Sequence, residues 1–319
     1  MTRVSVVMAS YNHAQFIEQA INSILTQTMS DLELIVVDDG SVDASNDIVA
    51  SIKDKRIRHI PLKTNGGACR AMNIAIDVAQ SEFVAICNSD DIWEPKKLEL
   101  QMNLIQGTQG IGAVFSDVTW IDESGLSIKE GRGGELGQFR QENKSRHAWL
   151  RQILEDGNCL CHPSVLLRKE VYDRIGNLDN MLRQLPDLDL WIRLLQHYDI
   201  HIMQERLVKF RIHPNNTSKL SPAKMNRLHR EHMLITKKFF DSVSPANFYR
   251  AFYPNSADKA DTIDAVSFLR DKVRYLLSAK WGASNVLREL AIETAYFGSF
   301  RGDIEVVPAL EFHDLTATS

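Results

Sequence analysis

Two acidic clusters near the N-terminus are the residues best placed to do chemistry. Asp38 and Asp39 directly follow the apolar run 34–37, and residues 88–91 (Asn-Ser-Asp-Asp) follow the apolar run 83–87. Each apolar run predicts a buried parallel strand that ends at carboxylates. In an open α/β sheet, ligands bind in the crevice beyond the carboxyl ends of the strands. Because clustered carboxylates repel one another, we expect a cation or a donor-rich ligand there.

The composition is that of an ordinary globular protein. The chain has 319 residues, of which 44% are hydrophobic and 24% charged, and its formal net charge is −4. Without a basic surplus, nucleic acid is not expected as a partner. The sequence enters a strand pattern at once and contains no signal-peptide pattern or apolar run long enough to span a membrane. We therefore expect a cytoplasmic enzyme, with peripheral contact to the inner face of a membrane left open.

The cysteines offer a weaker metal pattern. Cys159 and Cys161 precede His162, but the spacing is C-x-C and no second pair follows. Structural zinc sites usually combine two C-x2-C or similar pairs. Free thiols in a reducing compartment are therefore the favoured interpretation.

Strand and helix patterns alternate over the first 91 residues, which predicts βαβ units and a mainly parallel sheet. The predicted strands are 4–9, 32–37, 58–62 and 83–87, and the predicted helices are 14–27, 43–52 and 68–79. A helix over 96–106, a strand over 113–120, a Gly-rich charged connection over 124–146 and an amphipathic helix over 185–197 follow. We predict a catalytic domain over 1–220 and a helical accessory region over 221–319.

The turn after the first strand excludes two common nucleotide sites. Residues 8–13 contain no glycine, so neither a dinucleotide-binding G-x-G-x-x-G motif nor a P-loop is present there. If a nucleotide binds at this turn, side chains must hold it.

Six motifs in order resemble the family 2 glycosyltransferases. They are residues 4–12, 37–41, 65–67 with Ala71 and Asn73, 88–91, 187–193 and 210–213. The resemblance covers roughly two thirds of the chain, and it implies an inverting transferase of the GT-A fold. That fold is a Rossmann-like, mainly parallel sheet flanked by helices, here followed by a C-terminal helical extension.

The resemblance implies a nucleotide site over the first two strand ends. It implicates the Ala9 backbone, Tyr11 and Asp39, because a carboxylate can accept the N3–H of a uracil edge. A UDP-sugar is therefore the expected donor, with a dTDP- or GDP-sugar as the alternative. Asp-Gly is also a common turn signal, so a structural role stays open for Asp38 and Asp39.

Residues 88–90 occupy the position of the D-x-D motif in similar enzymes. The resemblance implies that Asp90 binds Mn²⁺ or Mg²⁺ and that Asn88 and Ser89 contact the donor. A hard cation bridging two phosphates offsets the charge that builds on the leaving diphosphate. Asn88 stands where Asp is common, which weakens any direct metal contact at that position.

Two further segments resemble donor-binding elements. The R-x-H element at 210–213 implies that Arg211 grips the diphosphate with its guanidinium fork and that His213 ligates the metal. A lone His is as often a satisfied structural group, so both interpretations of His213 stay open. By the same resemblance, Arg70 and Asn73 flank the nucleotide.

Asp187 falls at the position of the general base. An inverting transfer needs one carboxylate that takes the proton of the acceptor hydroxyl. Asp189, two residues on, cannot share its helix face, so we expect it to be a structural partner. A helix N-cap is the alternative role for Asp187, and Pro186 replaces the usual Glu, which leaves the acceptor contact open.

The C-terminal region carries no motif that we can tie to chemistry. Residues 270–301 contain six basic and three acidic side chains with interleaved aromatic residues. A basic amphipathic helix can lie on an anionic membrane, which suits a lipid-linked glycan acceptor. Packing against the catalytic domain or against a second copy of the chain is the favoured alternative.

The sequence thus predicts a metal-dependent hexosyl- or N-acetylhexosaminyl-transferase of cell-surface glycan synthesis. A degenerate, nucleotide-binding scaffold subunit is one alternative, motivated by Asn88 and Pro186. A nucleotidyltransferase is another, although its glycine- and lysine-rich signature is missing.

Overall fold

The computed structural model describes residues 3–128, 137–216, 222–278 and 289–294. The chain divides into two compact units, with unit 1 comprising residues 1–146 and 158–225 and unit 2 comprising residues 147–157 and 226–319. The longer part of unit 2 begins at residue 226, and the sequence-based boundary was set at 220. Unit 2 also includes 147–157, a segment whose apolar face (Trp149, Leu150 and Ile153) is buried.

Unit 1 is built on one eight-stranded sheet. Its strands are β1 (Val4–Ser10), β2 (Leu32–Asp38), β3 (Ile57–Pro61), β4 (Phe83–Ile86), β5 (Ile92–Trp93), β6 (Ile111–Ile121), β7 (Leu166–Arg168) and β8 (Asp199–Arg211). Their order across the sheet is β3-β2-β1-β4-β7-β6-β8-β5. The four strands β3-β2-β1-β4 run parallel, as do β6 and β8. The short β7 lies antiparallel between β4 and β6, and β5 is antiparallel to β8.

The helices are α1 (Ile17–Leu25), α2 (Ser45–Ser51), α3 (Ala68–Val78), α4 (Lys97–Gly107), α5 (Arg146–Asp156), α6 (Lys169–Ile175), α7 (Pro186–Leu195), α8 (Pro222–Ser242), α9 (Pro245–Phe252) and α10 (Ala265–Ser278). Helices α1 to α4 and α7 correspond to the five helical segments predicted in the first 220 residues. Short 3₁₀ helices occur at His162–Ser164 and Pro254–Asp261. Among the described helices, none is both long and apolar enough to cross a membrane.

The core of unit 1 explains why the strand ends are held rigidly. Val6 of β1, Leu34 of β2 and Ala85 of β4 are completely buried, and they belong to one hydrophobic cluster with helix residues such as Ile21 and Leu98. Strands buried on both faces appear in the sequence as continuous apolar runs, which is how β1, β2 and β4 were predicted. The polar residues that follow these strands therefore start from a fixed frame.

Unit 2 has a separate aromatic core. The rings of Phe240, Phe248, Phe252 and Tyr275 contact one another with centroids 4.2–6.4 Å apart. The basic side chain of Lys272 donates a hydrogen bond to the Phe240 carbonyl at 2.8 Å. That basic group therefore takes part in the packing of unit 2. Several residues of the predicted basic amphipathic segment lie outside the described residues, namely Lys280, Trp281, Arg288, Phe297, Phe300 and Arg301.

Candidate active site

At the end of β2, Asp38 is completely buried. One of its oxygens accepts hydrogen bonds from the Ser41 backbone (2.7 Å) and from Asn46 Nδ2 (3.0 Å), and the other accepts from Ser41 Oγ (2.6 Å). Three donors, two from Ser41 and one from the first turn of α2, thus satisfy the carboxylate. These contacts support the structural role in the turn that was the alternative for Asp38.

Asp39 links the end of β2 to the turn before α3. Its two carboxylate oxygens accept from the backbone N–H groups of Gly66 (2.8 Å) and Gly67 (2.7 Å). Gly40 allows the close approach, because a Cβ there would stand 2.8 Å from the backbone nitrogen of Asn65, and its φ of +75° disfavours other residues. Each carboxylate oxygen has a second lone-pair site, so Asp39 can still accept one further donor.

The other predicted nucleotide contacts lie along the same edge. Ala9 is partly exposed and pairs with Val37 of β2, and the ring of Tyr11 is 43% exposed just beyond β1. Arg70, in the first turn of α3, lies across Gly66, where an added Cβ would come within 2.6 Å of the Arg70 Cδ. An exposed aromatic ring and an exposed guanidinium beside a buried carboxylate offer stacking, charge and a hydrogen-bond acceptor together.

Asn73 is used by the fold itself. Its Nδ2 donates to the Leu178 carbonyl (2.8 Å), and its Oδ1 accepts from the Leu178 backbone (3.0 Å). Cys69 Sγ contacts the Leu182 carbonyl at 3.2 Å. These contacts tie the loop that leads into α7 to the helix that starts at the Asp39 turn. In this structure the side chain of Asn73 therefore holds that loop in place. From the sequence we had expected Asn73 to lie beside the nucleotide.

At the end of β4, Asp90 faces imidazole and amide groups. Its Oδ2 lies 3.0 Å from His213 Nε2 and 3.5 Å from Asn216 Nδ2. Asp90 and His213 are 8% and 5% exposed. The two residues predicted as metal ligands, which are 123 positions apart in the sequence, are therefore brought together.

A third potential ligand, His13, was missed by the sequence analysis. One atom each of His13, Asp90 and His213 lie within 4.8 Å of one another, and they are the one such group among the described residues. Two imidazoles and a carboxylate are a donor set that suits a divalent cation. The sequence did contain a clue to this role. His13 directly follows the motif at the end of β1, and residues at that position lie at the same edge of the sheet as Asp90.

Ser89 and Asn88 have other contacts than those predicted. Ser89 is buried, and its Oγ lies 2.7 Å from Nδ1 of His13. Asn88 donates its Nδ2 to Asp91 at 3.1 Å. Asp91 also accepts the backbone N–H of Arg211 at 2.8 Å, so it supports the turn and does not cap α4. Burial, together with the neighbouring Asp90, raises the pKa of Asp91 well above its usual value.

The structure corrects the role predicted for Arg211. This side chain is 1% exposed, and four of its five N–H donors already have acceptors on the chain. They go to the carbonyls of Asp90 (2.8 Å), Asp122 (3.2 Å) and Glu123 (2.9 Å) and to Gln19 Oε1 (2.7 Å). A bidentate grip on diphosphate would need two free donors on one face. Arg211 therefore braces the segments around Asp90.

Asp187 is the second residue of α7, where it is partly exposed. Its Oδ2 accepts from Asn158 Nδ2 at 2.6 Å, and its Oδ1 accepts from the Leu188 backbone at 2.9 Å. Burial raises the pKa of this carboxyl to about 6, against the lowering effect of these N–H donors. A carboxyl with this pKa is mostly ionised at neutral pH and can accept a proton there, as a general base requires.

Asp189 has the structural role that the sequence predicted. It forms an ion pair with Arg193 one helical turn away, at 2.7 Å. Arg193 also donates to the carbonyls of Gly176 and Asn177 at 3.1 and 3.0 Å. The pair thus ties α7 to the loop that precedes it and leaves Asp187 as the available carboxylate.

Comparison with known proteins decides the family. The model of the family described as glycosyl transferase family 2 matches residues 5–176, more than half of the chain. The chain belongs to this family. An uncharacterised glycosyltransferase of Methanocaldococcus jannaschii is 32% identical over 259 residues, covering 78% of this chain and 85% of the relative. Another, of Rickettsia conorii, is 30% identical, and the match covers 68% of this chain but 35% of that longer protein. The predicted family and enzyme class are confirmed.

Solved structures share the architecture of this family 2 transferase. S. aureus TarS 1–349 in complex with UDP-GlcNAc has a TM-score of 0.60 at 16% identity, covering 95% of this chain and 93% of that chain. A mannosyltransferase of Pyrobaculum calidifontis, in complex with GDP-Man and Mn²⁺, has a TM-score of 0.57 at 17% identity, covering 99% and 88%. At such low identity the likeness shows the fold alone, and the predicted GT-A fold is confirmed.

Proposed function

We propose that this transferase moves a sugar from a UDP-sugar to an acceptor hydroxyl with inversion, and that Asp187 is the general base. The observation that carries the proposal is the position of Asp187 in the first turn of α7, where Asn158 and the Leu188 backbone N–H hold its carboxylate and burial raises its pKa to about 6. The bond from the acceptor oxygen to the anomeric carbon forms while the bond to the diphosphate oxygen breaks. The acceptor proton passes to Asp187, and the nucleotide diphosphate leaves with the electron pair.

The nucleotide end of the donor binds over β1 and β2 in this proposal. Tyr11 offers an exposed ring for the base, and Asp39 offers an acceptor for the N3–H of uracil. The hydrogen bonds from the backbone N–H groups of Gly66 and Gly67 fix the Asp39 carboxylate before any ligand arrives. Arg70 is exposed in the first turn of α3, where its charge favours a phosphate.

Asp90 and His213 are the residues that would hold a divalent cation, Mn²⁺ or Mg²⁺. Their donor atoms are buried and 3.0 Å apart, and the nearby guanidinium of Arg211 is occupied by carbonyl groups and an amide. Such a cation supplies positive charge that offsets the charge developing on the leaving diphosphate. With Arg211 committed to the fold, this role falls to the cation and to Arg70.

The base preference and the biological setting are further proposals. TarS binds UDP-GlcNAc and the P. calidifontis mannosyltransferase binds GDP-Man, so a GDP-sugar is the main alternative donor. We place the acceptor among glycans or lipid-linked glycans of the cell surface. Peripheral membrane contact through 221–319 and a homo-oligomer are the partner arrangements to test.

The test is a transfer assay on the purified chain with a panel of UDP-, dTDP- and GDP-sugars. Release of nucleotide diphosphate gives the rate, and NMR of the product gives the anomeric configuration. We expect Asp187→Asn to lower the rate by about 10²–10⁴-fold, the usual contribution of a general base. Binding of UDP by the variant should stay unchanged.

Asp173→Asn is the matched control, because Asp173 is an exposed carboxylate on α6. Wild-type rates for Asp187→Asn would overturn the assignment of the base, and retention of configuration would overturn the inverting mechanism. Binding of nucleotide without turnover across the whole panel would instead favour the scaffold alternative suggested by Asn88 and Pro186.

A further inference from the structure

The segment between β1 and α1 is held in one conformation by the turn after β2. Asn12 has a φ of +53°, a left-handed conformation that Asn tolerates better than most residues. Its backbone N–H donates to Ser41 Oγ at 2.8 Å, and its Oδ1 accepts from the Val42 backbone at 2.9 Å. Reciprocal hydrogen bonds of this kind fix the direction in which the next residue leaves the strand.

The next residue is His13, and it is fixed from both sides. Its backbone N–H donates to Ser45 Oγ at 2.9 Å, and the N–H of Ala14 donates to Asp43 Oδ2 at 3.0 Å. Its Nδ1 lies 2.7 Å from Ser89 Oγ. The ring stands edge-on to that of His213, with centroids 5.8 Å apart. Nothing in the donor site proposed so far requires this ring, yet several contacts hold it beside Asp90.

We propose that His13 is a third protein ligand of the divalent cation, and that the resulting set of two imidazoles and one carboxylate makes the site prefer Mn²⁺ to Mg²⁺. This inference rests on the cation of the proposed function. Imidazole nitrogen suits transition-metal ions, whereas Mg²⁺ takes oxygen ligands and keeps several waters. Asn88, which stands where a carboxylate is common at the first D-x-D position, offers a neutral amide oxygen in place of a charged one and acts in the same direction.

Ser89 selects the ligating atom of His13. With Nδ1 in contact with the Ser89 hydroxyl, Nε2 is the ring nitrogen left for the cation, and Nδ1–H then donates to Oγ. Ser89 is thus a positioning residue for the ligand, as outer groups commonly are around metal-bound imidazoles.

The test measures metal binding directly, without transfer to an acceptor. Mn²⁺ and Mg²⁺ are titrated into the full chain by calorimetry, with and without UDP. For the wild type we expect a Kd for Mn²⁺ at least about tenfold below that for Mg²⁺. His13→Ala and His13→Gln should raise the Mn²⁺ Kd more than about tenfold and change the Mg²⁺ Kd much less, and Ser89→Ala should raise the Mn²⁺ Kd by about tenfold.

Pulsed EPR of bound Mn²⁺ counts the coordinated imidazoles. The wild type should show two, and His13→Gln and His213→Gln should show one each. His197→Ala removes an exposed histidine of unit 1 and is the matched control. Thermal melting of each variant confirms that it is folded.

The outcomes separate this inference from the proposed function. If both His13 variants keep the wild-type Mn²⁺ affinity and imidazole count, the inference is wrong, while a site made by Asp90 and His213 survives. Equal affinities for Mn²⁺ and Mg²⁺ in the wild type would overturn the selectivity. If the wild type binds neither ion even with UDP, the cation of the proposed function falls as well.

Discussion

At the end of β2 the carboxylates of Asp38 and Asp39 accept hydrogen bonds from neighbouring turns and from the start of α2, whereas at the end of β4 Asp90 faces two imidazoles. Asp38 accepts three hydrogen bonds and Asp39 two from backbone N–H groups. Asp90 has contacts from His213 and, at 3.5 Å, from Asn216. The same residue type at equivalent places in the sheet therefore has different electrostatic surroundings.

This difference separates architecture from ligand binding. Carboxylates that accept backbone hydrogen bonds are stable as anions and can define a rigid turn. A buried carboxylate that lies opposite two imidazoles, with a second carboxylate behind it, favours a ligand that brings positive charge. The carboxylates at the end of β2 therefore shape the site, whereas those at the end of β4 favour a bound cation.

This comparison predicts that substitution of Asp90 has the largest effect on metal binding and on transfer. Asp90→Asn removes the one carboxylate of the three-residue cluster while keeping its shape, so Mn²⁺ binding should be lost. The rate of transfer should fall by about 10³-fold, since a cation contributes several kcal/mol to the transition state. Calorimetry and the transfer assay measure the two losses.

Asp47→Asn is the control for Asp90→Asn, because Asp47 is an exposed carboxylate on α2. Unfolding by denaturant should show no loss of stability for Asp90→Asn, since the substitution relieves repulsion with Asp91. If Asp90→Asn still binds Mn²⁺ and transfers sugar at the wild-type rate, the ends of β2 and β4 do not differ in the way proposed here.

A smaller effect, on stability, is expected for Asp39. In Asp39→Asn an amide nitrogen faces the N–H of Gly66 or Gly67, so one part-buried N–H donor loses its charged acceptor. The free energy of unfolding should fall by about 1–3 kcal/mol. Denaturant titration checks this value, and UDP affinity should fall while Mn²⁺ affinity measured without nucleotide stays constant. Unchanged stability would contradict the structural part of the comparison.

Asp187 shares features with both strand ends. Its carboxylate accepts two hydrogen bonds from N–H groups, as Asp39 does, and burial raises its pKa, as it does for Asp91 at the end of β4. Transfer should lose activity below about pH 6, because protonated Asp187 cannot accept the hydroxyl proton. The Asn158 hydrogen bond favours the ionised form, so Asn158→Ala should raise the pKa of Asp187 and move the acid limb of kcat/KM to higher pH. An acid limb at the same pH in both proteins would show that another group controls it.

The smallest effect is expected for Asn46→Ala. The substitution removes one of three donors to Asp38, and the two from Ser41 remain. Asn46 lies in the first turn of α2, where Ala is compatible with the helix. Stability should fall by about 0.5–1.5 kcal/mol in denaturant titration, with metal binding and transfer unchanged. A loss of Mn²⁺ affinity in this variant would mean that the two ends are coupled.

The parallel half of the sheet was predictable because its strands are apolar throughout. β1, β2 and β4 begin and end within one residue of the segments expected from the sequence. The thirteen residues of β8 were not predicted as a strand. β8 carries charges at several positions, and irregular pairing with β6 between Ser116 and Val118 breaks its alternation. Strand patterns fail where one face is exposed and the register slips.

For the site, sequence motifs placed residues at the correct edge but did not determine what each side chain does. Asp90 and His213, both predicted as metal ligands, lie beside each other, and Asp189 has the structural contact with Arg193 that we expected. Arg211 and Ser89 instead contact protein groups that only the folded chain brings to them. A sequence shows which groups are able to bind a ligand, but a buried group binds first to whatever neighbours the tertiary structure supplies.

The cluster of His13, Asp90 and His213 also has a consequence for the order of events during synthesis. Its members follow β1, β4 and β8, which are the first, a middle and the last strand of the sheet along the chain. A nascent chain that has reached residue 200 already contains β3-β2-β1-β4 in full, but it has two of the three side chains. Contacts over such separations close late in folding. Once His213 has been synthesised, all eight strands of the unit 1 sheet are therefore present and able to fold.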